Sequence, residues 1–232
     1  MQKYDPMLQA LFWSALTIGL YQLSNLIHRR RSAWWTSPML IAPSLLILVA
    51  LLLHVSYRNY ITGTHWLVTL FAPATVAFAI PIYEQKTLIR RYWPLLAVGV
   101  VVGSITAIGS SWMLSTCLGL SDGLRLSLLP RSISTPFAVV VSGEIGGTPS
   151  LTAMFVLVTG IFGAAIGECV LAWLPLRSAL AGGALFGMGA HAFGTAKAHQ
   201  IDSELGSIAG LVMVFVGLLN VLAAPFLARS FH

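Results

Sequence analysis

Apolar residues fill most of this chain in long runs, broken by short basic or polar stretches. A helix that crosses a bilayer needs about 20 predominantly apolar residues. Runs of that length are predicted at Leu8–Ile27, Ser37–Val55, Thr64–Tyr83, Pro94–Leu114, Leu151–Ala172 and Ile208–Leu227. Two further segments, Leu124–Gly147 and Ala179–His199, are apolar but irregular, which brings the expectation to about eight hydrophobic elements. The pattern predicts an all-α, polytopic integral membrane protein, with residues 1–232 as one transmembrane domain.

The irregular segments carry the information. Pro130 and Pro136 interrupt the first, together with Arg131, Ser132, Ser134, Thr135 and Glu144. Proline removes a helical hydrogen bond, and the freed backbone groups survive in a bilayer only inside protein or beside a water-filled cavity. Residues 124–147 are therefore predicted as a broken helix lining a polar site, which either crosses or re-enters. A second candidate interruption lies between Pro73 and Pro81. A third is expected in 179–199, where glycines at 182, 183, 187, 189 and 194 weaken any helix. Thr75 to Glu84 and Thr135 to Glu144 share one spacing, a weak sign of an internal repeat. Discontinuous helices in such repeats build transporter sites near the midplane.

Composition agrees. Only 9% of residues are charged, against about 25% in a soluble domain, and mean hydropathy is +0.84. The net charge of +6 does not indicate nucleic acid, because the basic residues cluster between apolar runs. Such clusters orient a membrane protein. His28-Arg29-Arg30-Arg31 and Lys86, Arg90 and Arg91 are expected in the cytoplasm, with the N-terminus outside. Cys117 and Cys169 have no metal-ligand or disulfide pattern and are expected to be small packing residues. No nucleophile elbow, phosphate loop or Cys/His metal motif is present, so neither enzyme chemistry nor a cofactor is expected.

Arg131 is the sharpest candidate. An arginine at bilayer depth costs about 2.5–3.5 kcal/mol on insertion scales, so something must compensate. Its guanidinium can grip a carboxylate through paired hydrogen bonds. Ser132, Ser134, Thr135 and a half-helix N-terminus would complete an anion site. The alternatives are pairing with Glu144 or Glu168, or snorkelling to the interface. Thr75 can offer its hydroxyl to the same cavity or bond back to its own helix. His191 suits proton coupling because imidazole titrates near neutrality, yet a lone histidine is also a common packing residue. Thr195, four residues on, shares its helix face, whereas Lys197 does not and is expected to snorkel. Glu144 and Glu168 are candidate coupling acids. Glu168, inside an apolar run, needs a partner or a proton.

The motifs Phe71-Ala72-Pro73-Ala74-Thr75-Val76-Ala77, Ser127-Leu128-Leu129-Pro130-Arg131-Ser132, Gly146-Gly147-Thr148-Pro149-Ser150-Leu151-Thr152-Ala153 and His191-Ala192-Phe193-Gly194-Thr195-Ala196-Lys197, in that order, resemble the LrgB/CidB family. This family includes YohK-like bacterial proteins and the plant plastidial glycolate/glycerate translocator. The resemblance covers roughly residues 64–228 and departs at Val140, where some members carry an acid, and at Glu168. It implies a bacterial inner-membrane protein that moves small organic anions such as glycolate, glycerate or pyruvate. It equally implies the antiholin-like role of controlling murein hydrolases and lysis. It further implies homo-oligomers, a small LrgA/CidA-type membrane partner, and by analogy an inverted repeat similar to that of bile-acid/sodium symporters. The reading carried forward is alternating-access transport through Arg131, Ser132, Ser134, Thr135, Thr75, His191 and Thr195, with His191, Glu168 or Glu144 as coupling groups.

Overall fold

The computed structural model describes residues 6–30, 36–70, 73, 76–77, 79–174, 176 and 178–231. The described residues are helical, with no strand among them. Four helices are long and apolar enough to cross a membrane: 7–30, 86–117, 149–173 and 203–230. Their large apolar side chains face outward, Trp173, Leu222 and Phe226 among them, while Ser111, Ser127, Thr152, His191 and Asn220 are buried. A water-soluble fold has the opposite distribution. Lipid is the solvent that makes this one stable, and the chain is an all-α polytopic membrane protein.

The chain forms two compact units, Met1–Ala72 and Pro73–His232. In the first, α1 (Pro6–Arg30) carries α2 (Pro38–Leu52) and α3 (Tyr57–Thr69). Polar side chains join α1 to α3. Trp66 Nε1 donates to Ser14 Oγ at 2.7 Å, and the hydroxyls of Thr17 and Tyr60 lie 3.1 Å apart. Gly63 lets the backbones touch, since a Cβ there would stand 3.3 Å from Ala10 Cα. Helix α2 has 15 residues, shorter than the span predicted over 37–55. The predicted span over 64–83 is likewise divided, because α3 ends at Thr69 and a separate helix, α4 (Ala79–Glu84), follows.

The second unit is built on α5 (Lys86–Cys117), which is longer than the predicted span. Tyr92 leaves helical geometry two residues before Pro94, so Lys86, Arg90 and Arg91 sit on a separate arm beyond the kink. Past it, Ser104, Ser111 and Ser115 are buried on one face of α5, while Val98, Val102, Ile105 and Met113 are exposed on the other.

Both irregular segments fold back on themselves. The first comprises α6 (Asp122–Leu128), a 3-10 turn (Leu129–Ser132) and α7 (Thr135–Glu144). Gly146, with φ +84, ends α7 in the left-handed conformation that glycine tolerates, and Gly147 N–H bonds back to the Ser142 carbonyl at 2.8 Å. The chain thereby returns to its start, where a Cβ on Gly147 would stand 3.0 Å from Ser127 N. Residues 124–147 therefore fold back as a hairpin whose two ends lie together.

Its base is fastened to α8 (Pro149–Trp173) by a buried hydroxyl cluster. The Thr152 hydroxyl lies 2.9 Å from the Ser127 carbonyl and 2.7 Å from Ser142 Oγ, and Thr148 N–H donates to Ser127 Oγ at 2.8 Å. Thr152→Val keeps the shape and orphans these partners. It is expected to cost about 1–3 kcal/mol, read as a lower unfolding temperature in detergent, whereas Thr152→Ser keeps most of the stability.

The second irregular segment is α9 (Ala179–Gly189) followed at once by α10 (His191–Ile201). Glycines let the two arms pack closely. A Cβ on Gly167 of α8 would stand 2.9 Å from the Phe186 ring, and one on Gly194 would meet the Phe186 carbonyl across the hairpin. Each arm has 11 residues, roughly 16 Å at helical rise and about half of a hydrocarbon core. Helix α11 (Ser203–Phe231) then runs past both arms, its start capped by Asp202 Oδ1, which accepts from Glu204 N–H at 2.8 Å and Leu205 N–H at 3.0 Å.

Candidate functional site

The tips of the two hairpins meet. His191 is the tip residue of the second, and Met188, just before it, lines one crevice with Pro130 and Ser132, which flank Arg131 at the tip of the first. Both lie beside the middle of α8, where a Cβ on Gly160 would stand 2.7 Å from His191 Cε1. Helix α8 is long and apolar enough to cross a membrane, and the meeting point lies level with its middle.

His191 is held in an unusual state. Its φ is +38, a left-handed conformation that a side chain with a Cβ rarely adopts. It is 1% exposed, and its Nε2 has no hydrogen-bond partner. Local strain of this kind persists only where the surroundings over-determine it. Here they do: α8, α9 and α10 close on the tip through Gly160, Gly163 and Gly194. The first hairpin has a matching feature. Ser134 sits at the N-terminus of α7 without capping it, and its buried hydroxyl has no partner.

Arg131 is half-buried. Its Nε donates to Ser111 Oγ on α5 at 2.9 Å. Among the described residues no carboxylate pairs with it, so the expected alternative of pairing with Glu144 or Glu168 does not hold. Glu144 is exposed at the far end of α7. Glu168 has the partner its apolar run demands, for Lys197 Nζ lies 3.0 Å away. Lys197 is thus paired with Glu168, because α8 and α10 run side by side and bring the two charges together.

The tips therefore bring together Arg131, Ser132, Ser134 and His191. Thr135 opens α7 beside them. Thr195 lies one turn down α10, and its hydroxyl donates to the His191 carbonyl at 2.9 Å, supporting the strained tip. Glu144 and Glu168 lie away from the tips. Thr75 lies outside the described residues. Cys117 and Cys169 are free and exposed on the outer surface, not packed inside. Among the described residues no cluster of potential metal ligands occurs.

Sequence reasoning missed three contributors. Ser111 holds Arg131, and Ser104 accepts from Asn220 Nδ2 at 3.0 Å. The signals were there: Ser104, Ser111 and Ser115 recur at one-face helical spacing, and Asn220 is the one polar side chain between Gly210 and Arg229.

The family model described as LrgB-like family matches residues 17–230. The chain is 38% identical over 212 residues to a protein of Bacillus subtilis strain 168 described as uncharacterized protein YwbG, covering 91% of this chain and 94% of that one. It is 32% identical to the holin-like protein CidB of Staphylococcus epidermidis and 30% identical to that of Staphylococcus aureus strain Mu50, covering 97% of this chain and 98% of each relative. No solved structure matches. With buried polar hairpins set among lipid-facing helices and a family match along nearly its whole length, the chain belongs to the LrgB-like family of membrane proteins.

Proposed function

We propose that this protein carries a small organic anion, a C2–C3 carboxylate such as glycolate, glycerate or pyruvate, across the bacterial inner membrane. The observation that supports this most is Arg131: a half-buried guanidinium at the meeting point of two hairpins, with no carboxylate partner among the described residues. A carboxylate there would satisfy the guanidinium, with Ser132, Ser134, Thr135 and the α7 N-terminus supplying further donors. His191 Nε2 would hold a coupled proton, a role that Glu144 and Glu168 are less well placed to take. Thr195 would steady that tip, and Thr75 would complete the site from the preceding segment.

The crevice beside Arg131 has room for about one water molecule. Binding thus requires the tips to part, and alternating access would follow from moving the hairpins relative to α5 and α11. The positive-inside rule supports an orientation with Lys86, Arg90 and Arg91, and likewise Arg29 and Arg30, in the cytoplasm and the N-terminus outside. Chemistry is confined to transport, with no enzymatic step and no cofactor. A homo-oligomer, and assembly with a small LrgA/CidA-type membrane protein, complete the proposal.

The test is uptake of labelled glycolate and pyruvate into proteoliposomes containing this chain alone, then with the small partner. Saturable uptake in either preparation is expected, and its absence from both overturns the carrier. The second reading is holin-like control of lysis, favoured by the likeness to the holin-like CidB proteins. Under it, the chain alters murein hydrolase release from cells while liposomes show no carboxylate flux.

A further inference from the structure

A second polar feature lies beside the Arg131 turn. Asn220 is 4% exposed on α11, in a stretch otherwise without polar side chains. Its Nδ2 donates to Ser104 Oγ at 3.0 Å and to the Val216 carbonyl at 2.7 Å. A carboxamide has two N–H donors and one acceptor oxygen. Both donors are therefore spent on the protein, and what Asn220 still offers is its acceptor, Oδ1. Asn220 and Ser104 line a narrow crevice with Pro130, Ser132, Ile133 and Met188, and Pro130 and Ser132 flank Arg131 in the chain.

A buried amide is expensive in a membrane helix. Joining α11 to α5 explains its two donors but not the acceptor left over at a crevice. Two kinds of occupant suit a lone acceptor, an O–H donor or a small cation. The guanidinium of the adjoining Arg131 repels a cation, and among the described residues no carboxylate lines the crevice. The size of the crevice, that of a single water, fits one hydroxyl group.

We infer that Asn220 is a specificity-determining residue whose Oδ1 accepts a hydrogen bond from a hydroxyl on the carbon next to the substrate carboxylate, while Ser104 holds the amide in the orientation that presents that oxygen. This rests on the carrier reading of Arg131. A 2-hydroxy acid places its carboxylate on Arg131 and its hydroxyl in the crevice. A 2-oxo acid presents an acceptor to an acceptor, and an unsubstituted acid presents nothing. Sites built to hydrogen-bond a substrate hydroxyl discriminate against the analogue that lacks it.

Lactate, pyruvate and propionate test this, because they differ only at C2. Their binding to the purified full chain in detergent is measured by calorimetry. Lactate is expected to bind about tenfold more tightly than either of the others, the worth of one hydrogen bond. Asn220→Leu is expected to remove the preference, bringing lactate to the same affinity as propionate. Ser104→Ala, a smaller change that serves even if Asn220→Leu does not fold, frees one amide hydrogen. It is expected to shift the ratio toward pyruvate. Equal binding of lactate and propionate by the intact chain overturns the inference and leaves the carrier standing. Equal weakening of all three acids in Asn220→Leu, with the ratio unmoved in Ser104→Ala, also overturns it. Binding of none of the three overturns both this inference and the carrier reading for C3 acids.

Discussion

Arg131→Ala is expected to reduce carboxylate binding and uptake by about 10- to 100-fold, the worth of charge-assisted hydrogen bonds to an ionised group. Arg131→Lys is expected to recover only part of it, since an ammonium keeps the charge but loses the planar fork. The substitution is a clean test because it leaves no orphan behind. Ser111, which receives the Nε bond, also donates its own hydroxyl to the Ala107 carbonyl at 2.7 Å. Removing the arginine also relieves the cost of holding a charge at bilayer depth. Expression and thermal stability in detergent should therefore match those of the intact chain or exceed them. A stable variant with unchanged uptake would move the anion site away from the hairpin tips. A variant that fails to assemble would make Arg131 a structural group.

That site was half legible in the sequence, for identifiable reasons. Pro130, Pro136 and Arg131 mark a broken element because each contradicts a simple lipid-exposed helix locally, with no knowledge of what packs against it. His191 was visible for the same reason, as a lone polar group amid glycines. What surrounds them was not, because the partners are distant in the chain. Ser111 meets Arg131 from 20 residues away, and Asn220 meets Ser104 from 116 away. Serine and asparagine are common enough that neither stands out until a backbone brings them together.

The fold divides in the same way. The long spans at 94–114, 151–172 and 208–227 were legible because lipid demands uninterrupted apolar length. The folding back of 124–147 was not, because a broken span and a hairpin share one composition. Only Gly146 at positive φ and the return of Gly147 to Ser127 decide between them. Glu168 and Lys197 show the limit most clearly. Each looked alone in its own helix, and the pairing arises because a hairpin arm of 11 residues runs beside α8.

Gly194→Val is expected to be the most destabilising single substitution in the second hairpin. Gly194 lies on α10, and a Cβ at that position would meet the Phe186 carbonyl of α9 and stand 2.9 Å from Ala190 Cβ. Both neighbours are backbone or short side chain, so neither can swing aside, and the arms must separate. Overpacking of this kind costs roughly 1–3 kcal/mol, or about 3–10 °C in unfolding temperature for a chain of this size. Gly189→Ala, in the other arm near the same tip, is the matched control. No atom lies within 4 Å of a Cβ built there, so it should be neutral or slightly stabilising. The functional consequence should follow the structural one. His191 keeps its φ of +38 only while α8 and both arms close on it, so Gly194→Val should release the tip and abolish coupled uptake even where the protein still reaches the membrane. If Gly194→Val and Gly189→Ala behave alike in detergent and in uptake, the close packing of the arms is not what holds His191 against the Arg131 turn.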